Sequence, residues 1–197
     1  MRALFLAALL LAYGCSGSAA EHSTAARGLI EQSGVGEAFE DASTAQFAAV
    51  RHKSSGLVCR LPAEGAFHIE VFPPNVANEG AACSHASGSV AETLLAVRFS
   101  RAVTFERAFT EAVAMSAPQS ARRWREAPVE NNATTRDERV SRLQGEMNGQ
   151  PYFARVAMRQ GEDGWLLQQI VLAPLELASE ADSTADERWR EAVGGER

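Results

Sequence analysis

The sequence predicts an α+β fold in a single domain, a mostly antiparallel sheet packed by helices. Three observations predict it. Short runs alternate apolar and polar residues and are joined by turn-forming pairs, the pattern of hairpins. Other apolar residues recur every third or fourth position, the pattern of amphipathic helices. The two kinds of segment are grouped along the chain, which disfavours a parallel sheet built from βαβ units. With 197 residues, 46% hydrophobic and 22% charged, the composition is that of a globular protein with a core of ordinary size.

The chain opens on MRALFLAALLLAYGC. Arg2 precedes an unbroken apolar run from Ala3 to Ala12, so residues 1–20 are expected to be a secretory signal and its tether. The run is about ten residues, half of the roughly twenty that span a bilayer. Two ends to this signal are open. Cys15 after Gly14 resembles a bacterial lipoprotein signal, in which the cysteine is diacylated and becomes the new N-terminus. Ala12 and Tyr13 depart from the usual Leu followed by a small residue. The alternative is ordinary cleavage after Ser18-Ala19-Ala20. The lipoprotein reading is preferred, and Ser16 after the cysteine favours the outer membrane.

The single domain is expected over 25–197. Residues 16–24 are small and polar and read as a tether. Ala25, Ala26, Leu29 and Ile30 share one helical face that Gly34 ends, and Phe39 continues a short turn. Strands are expected from Phe47 through AAVRHK, over Leu57–Leu61, and over Phe67–Val71, where Phe67, Ile69 and Val71 alternate with His68 and Glu70. Asn75 to Gly88 reads as a loop pinned by Cys83. Thr93–Ser100 is a strand with Leu95, Val97 and Phe99 on its apolar face.

Thr104–Ala117 is the best helix, with Phe105, Ala108, Phe109, Ala112 and Val113 as its stripe and Thr104 as N-cap. Residues 119–138 form a polar connection. A meander follows: Val140–Glu146, the Asn148-Gly149 hairpin turn, Tyr152–Arg159, then Trp165–Ala173. An acidic linker, 176–183, precedes a last helix. Thr184-Ala185-Asp186-Glu187 reads as that helix's capping box, and Ala185, Trp189, Ala192 and Val193 as its apolar face.

Charge and cysteine usage narrow the partners. The net charge is −6, which argues against nucleic acid and against charge-driven binding to anionic lipid. Any membrane association is expected only through a lipid anchor. Of the three cysteines, Cys15 is lipidated or removed. Cys59 and Cys83 remain as a pair in an oxidising compartment. A bridge between them would close a loop of about 25 residues and contribute about 3–4 kcal/mol by the chain-entropy relation. Two buried free thiols are the alternative.

Two resemblances extend this reading. VRHKSSGLVCRLP, CSHASG and TLLAVRFS resemble a group of uncharacterised exported proteins of alphaproteobacteria, over residues 47–100. The element order is similar to the Mog1/PsbP-like α/β/α sandwich, with TFERAFTEAV as its helix and GEMNGQPYFARVAMRQGEDGWLLQQIVLAP as its meander. That likeness implies a small binding or assembly-accessory domain of the envelope. It carries no functional residue over, and the cysteine pair departs from the fold generally.

No catalytic or cofactor motif stands out, and no cofactor or metal is expected. The four histidines, His22, His52, His68 and His85, show no i+3 or i+4 spacing and no H-E-x-x-H. His68 with Glu70 reads as a metal or acid/base pair or, better, as a solvated strand face. Cys83-Ser84-His85 reads as an imidazole-activated thiol or, better, as half of a structural disulfide. There is no G-x-S-x-G, and neither Gly34-Val35-Gly36 nor Gly161–Gly164 has a phosphate-loop context. Glu162 and Asp163 suggest calcium less well than a plain turn. Asn132-Ala133-Thr134 fits a glycosylation sequon without bacterial significance.

The first candidate for a binding surface is the cluster Arg122, Arg123, Trp124 and Arg125, since Trp and Arg are enriched at protein-binding hot spots. The expected role is therefore a non-enzymatic binding or assembly-accessory module of the bacterial envelope, with another envelope protein as partner. Two rivals are a periplasmic enzyme without a readable motif and a small-ligand carrier. Convergence of His68, Glu70 or Glu92 in a pocket would favour the enzyme. An apolar cavity between sheet and helix would favour the carrier.

Overall fold

The computed structural model describes residues 18–72, 78–116, 125–126 and 137–194. Among the described residues, three helices and two antiparallel sheets form one α+β domain. The first helix, α1, spans Ala19–Ser33 and starts earlier than the sequence suggests. Ser18 and Glu21 form a true capping box: Glu21 N donates to Ser18 Oγ, and Ser18 N donates to Glu21 Oε2 at 2.6 Å. These two bonds recruit residues 19–24, expected to be tether, into the first turns. The Ser18 backbone N–H, with a smaller contribution from the Ser18 hydroxyl, holds the Glu21 carboxyl below its usual range. Gly34, at φ 67°, ends the helix in the left-handed conformation that glycine adopts without strain.

A small sheet follows, β1 (Phe39–Asp41), β2 (Ala49–His52) and β3 (Val58–Arg60), in that order. Phe39 is thus a strand residue rather than part of a turn. The large sheet has the order β4-β5-β6-β10-β9-β8-β7. It joins two antiparallel meanders along β6 and β10. The first is β4 (Ala66–Phe72), β5 (Asn78–Ser87) and β6 (Val90–Phe99). The second is β8 (Glu138–Met147), β9 (Gln150–Gln160) and β10 (Leu166–Pro174), with β7 (Arg125–Glu126) on the edge of β8. Asn148 and Gly149 both have positive φ, the type I′ geometry expected of the β8–β9 hairpin. Helix α2 (Phe105–Ser116) leaves β6, and α3 (Ala178–Val193) follows β10.

Several expectations are corrected. The loop assigned to Asn75–Gly88 is, from Asn78 onward, a ten-residue strand paired on both sides. Its Gly and Ala residues suggested a loop, but they are small because the strand is crowded. A Cβ on Gly80 would lie 2.6 Å from the Ala96 carbonyl oxygen. On β6 the deeply buried residues are Glu92, Leu94 and Ala96, while Leu95, Val97 and Phe99 are half-buried on the opposite face. Val71 is 40% exposed, so the expected apolar face of β4 is deep only at Ile69. The polar connection 119–138 contributes β7 and the first residue of β8.

The acidic linker 176–183 is helical, and Thr184 lies inside α3 rather than capping it. Ala181 sits one turn before Ala185, so the buried stripe Ala181, Ala185, Trp189 and Ala192 extends through the supposed linker. Thr104 does cap α2: its Oγ1 accepts from Arg107 N at 3.3 Å.

The large sheet is covered on both faces. On one, α2 packs Ala108 and Ala112 onto Val156, Met158 and Leu166. On the other lie α1, α3 and the small sheet, around Phe39, Val50, Ile69, Leu94, Trp165 and Trp189. The small sheet is tied down by the Cys59–Cys83 disulfide, from β3 to β5 with Cα atoms 6.4 Å apart. It is also held by His52 of β2, which packs edge-on to Trp165 with ring centroids 5.3 Å apart. Among the described residues no helix is long and apolar enough to cross a membrane.

Candidate functional site

Beneath α3 the sheet presents polar side chains where a helix usually meets an apolar surface. Strand register explains their alignment. Arg142 of β8 pairs with Arg155 of β9, Arg155 with Val171 of β10, Val171 with Glu92 of β6, and Glu92 with His85 of β5. One row across five strands therefore points three charged side chains and one histidine, with Val171 between them, towards the same helix. Two arginines face each other at one end of the row, an unfavourable pairing by itself.

Helix α3 supplies the counter-charges. Arg142 Nε donates to both carboxylate oxygens of Asp182, at 2.9 and 2.8 Å. Arg155 is fully buried. Its NH2 donates to Asp186 Oδ1 at 3.0 Å and its NH1 to Gln169 Oε1. Its Nε lies 3.3 Å from Asp182 Oδ1, an ion pair without hydrogen-bond alignment. Burial pulls the Arg155 pKa below its usual value; Asp182 opposes this and Arg142 adds to it. An arginine so placed still carries its charge at neutral pH.

Gln169 continues the chain of bonds. Its Nε2 donates to Glu92 Oε1 at 2.6 Å and to the Ala185 carbonyl at 2.9 Å. Glu92 Oε2 accepts from Arg188 NH1 at 2.6 Å, and the same NH1 donates to His85 Nδ1 at 3.1 Å. His85 Nε2 then donates to the Glu64 carbonyl at 3.1 Å. These bonds assign the proton of neutral His85 to Nε2.

At the β5–β6 end of the row the helix and the sheet part, leaving a cleft of about 440 Å³. Val90, Val171, Leu177 and Ala181 give it apolar walls, and Glu92, His85 and Arg188 form its polar end. Glu64 and Glu180 stand exposed at the rim. Arg188 also borders a neighbouring groove between α1, the small sheet and α3. There Arg60 lies over the Phe47 ring at 4.7 Å and pairs with Glu191 at 3.0 Å.

The cleft has the size and lining of a ligand site, within the roughly 300–1,000 Å³ such sites occupy. It is poorly equipped for acid–base chemistry. Both oxygens of Glu92 and both nitrogens of His85 are engaged by protein groups, so neither is held ready as a general base.

The residues singled out from sequence distribute as follows. Cys15, Arg122, Arg123 and Trp124 lie outside the described residues, as does the side chain of Arg125. His68 and Glu70 are exposed on the opposite face of the sheet and do not reach the cleft. Glu92 does line it, beside His85 rather than His68. Glu162 and Asp163 sit in an exposed 3₁₀ turn. Among the described residues no group of three His, Cys, Asp or Glu is placed to hold a metal. Cys83 is bonded to Cys59 and offers no thiol.

The site rests on residues that sequence reasoning passed over: Arg155, Gln169 and Arg188. A signal for two of them was present. Arg155 interrupts FARVAM and Gln168-Gln169 interrupt LLQQIVL, polar residues in the middle of otherwise apolar strands.

No family model and no curated protein matches this chain. Among solved structures, LpqN of Mycobacterium tuberculosis, described as involved in cell envelope biogenesis, aligns with a TM-score of 0.38 and 10% sequence identity. The alignment covers 93% of this chain and 97% of that one. A likeness at that level assigns neither a family nor a function.

Proposed function

We propose that this chain is an exported bacterial envelope protein, anchored through a lipid on Cys15 and facing the periplasm from the outer membrane. We assign it a non-enzymatic binding role, with another envelope component held in the cleft beneath α3. The Mog1/PsbP-like element order supports the same reading. The observation that carries it is the cleft itself: an apolar slot closed at one end by an ordered polar network with no disengaged catalytic base.

The N-terminus of α1 supports the lipoprotein form. Cleavage after Ala20 would remove Ser18 and with it the capping box. A chain beginning at Cys15 keeps both.

The test is mass spectrometry of the wild-type protein and Thr184→Trp, both purified from envelope membranes. Thr184 is exposed on α3 and lines the cleft, so the larger side chain obstructs it without entering the core. Denatured wild type is expected to start at a diacylated Cys15. Under native conditions it is expected to retain a small molecule that Thr184→Trp loses. A chain starting at Glu21 would overturn the anchor, and equal retention by both proteins would overturn the cleft. Turnover of a defined substrate, abolished by a point change in the cleft, would overturn the non-enzymatic assignment.

A further inference from the structure

Taking the cleft as the binding site, we infer that its ligand is an organic anion with an apolar body, whose carboxylate or phosphate is gripped by the Nε and NH2 edge of Arg188. The inference follows from counting the hydrogen-bonding capacity that the protein leaves unused at the polar end.

Glu92 is almost fully buried; Gln169 occupies one of its oxygens and Arg188 the other. His85 accepts at Nδ1 and donates at Nε2. Gln169 donates twice and accepts once. None of these groups has an unmet need that a ligand must satisfy.

Arg188 differs. A guanidinium carries five N–H donors in a planar fork. Only NH1 is used, one N–H for Glu92 and one for His85. Among the described residues, no protein group accepts from Nε or NH2. The side chain is a quarter exposed, and Arg188 lines both the cleft and the groove beside it. The unused donors therefore form the guanidinium edge whose two parallel N–H bonds match two oxygens of one oxyacid.

Glu92 and His85 act as positioning residues here. By fixing NH1 they set the plane of the fork and remove the rotamer freedom that binding would otherwise have to freeze. The Glu92 charge is balanced by Arg188, so the pair presents an anion with donors rather than with a bare carboxylate. Glu64 and Glu180 at the rim are water-exposed and screened by salt. The walls formed by Val90, Val171, Leu177 and Ala181 take the apolar body, and the volume of about 440 Å³ suits one chain or ring system.

The experiment is calorimetric titration of the mature wild-type protein, Arg188→Lys and Thr184→Trp with four probes of equal chain length. These are decanoate, decyl phosphate, decanol and decyltrimethylammonium. Decanoate or decyl phosphate is expected to bind wild type saturably, with the two neutral or cationic probes weaker by about tenfold or more. Arg188→Lys keeps the charge but loses the fork, and is expected to weaken the anion by about tenfold to a hundredfold. Thr184→Trp is expected to abolish binding and leaves the ionic network untouched, so it serves if Arg188→Lys fails to fold.

Tighter binding of decanoate than of decyl phosphate assigns a carboxylate, and the reverse order assigns a phosphate. Either order supports the inference. Equal binding of all four probes, blocked by Thr184→Trp, overturns the anion and leaves the cleft standing. Unchanged anion binding in Arg188→Lys overturns the assignment to Arg188. No binding of any probe overturns the inference, and the retained molecule in native mass spectrometry then judges the cleft separately.

Discussion

The two faces of the large sheet are held to their helices by different physics. Under α2 the buried contact is apolar: Ala108 and Ala112 against Val156, Met158 and Leu166, with Phe99, Phe105 and Phe109 packed around them, and the ion pair of Arg139 with Glu106 lies at its exposed margin. Under α3 the apolar stripe of Ala181, Ala185 and Trp189 is flanked by a row of ions and amides running from Arg142 to His85. Hydrophobic contact is non-directional and tolerates a small slide of the helix. A buried ion pair is directional, and a displaced partner leaves a desolvated charge unpaired. The α2 face therefore supplies stability alone, and the α3 face supplies both stability and position. The cleft lies on the face where position is controlled.

That contrast makes graded predictions. The largest effect is expected from Arg155→Ala, which leaves a cavity beneath α3 and takes from buried Gln169 the donor to its Oε1, while Asp182 keeps Arg142 and Asp186 keeps Arg190. Urea unfolding should show a loss of about 3–5 kcal/mol. A loss below 1 kcal/mol would mean that the row is not a fixed anchor. Replacing Cys59 and Cys83 together by alanine frees the small sheet from β5, and is expected to destabilise by about 3–4 kcal/mol. Reductant should lower the thermal midpoint of the wild type but not of this variant. If reductant lowers both, the disulfide is not what couples the sheets.

On the α2 face, Met158→Ala is expected to remove about 2–3 kcal/mol, through lost burial and the cavity left behind. It should leave ligand affinity in the cleft unchanged, whereas Arg155→Ala should weaken it. Equal effects of both variants on affinity would erase the distinction between the faces.

The smallest effect concerns His52, which sits between Phe39 and Trp165 where the small sheet meets the large one. Burial holds its pKa below the ordinary value of 6.5, against a weaker opposing pull from Glu79. The unfolded chain therefore takes up a proton at higher pH than the folded one. The stability that neutral His52 permits is present above pH 6.5 and is lost as the pH falls through that value towards the folded pKa. His52→Phe should flatten this part of the pH–stability curve. An identical curve for wild type and variant would show that His52 is not the group responsible.

Legibility in the sequence followed the same division. The α2 stripe was plain because large apolar residues at Phe105, Phe109 and Val113 make the helical period visible. The second meander was plain because Asn148-Gly149 demands its turn. The pairing of Cys59 with Cys83 was expected from two cysteines in a chain read as exported, and the structure forms it. The start of α3 was missed because its buried face there is Ala181 and Ala185, which contrast weakly with an acidic surround. Strand β5 was missed because its small residues imitate a loop.

The sequence by itself determined the class of fold and most of the element order, and it favoured the cysteine pair over two free thiols. Each of these rests on local periodicity, turn chemistry or the expected compartment. Only the tertiary structure decided the site. Arg155 and Arg188 are far from each other and from the hairpin that carries His85 and Glu92, and no spacing announces them. They meet because strand register places Arg142, Arg155, Glu92 and His85 in one row, and because α3 crosses that row with acids at one end and Arg188 at the other. Register is a property of pairing between distant strands, and a shift of one residue would turn every one of these side chains to the opposite face.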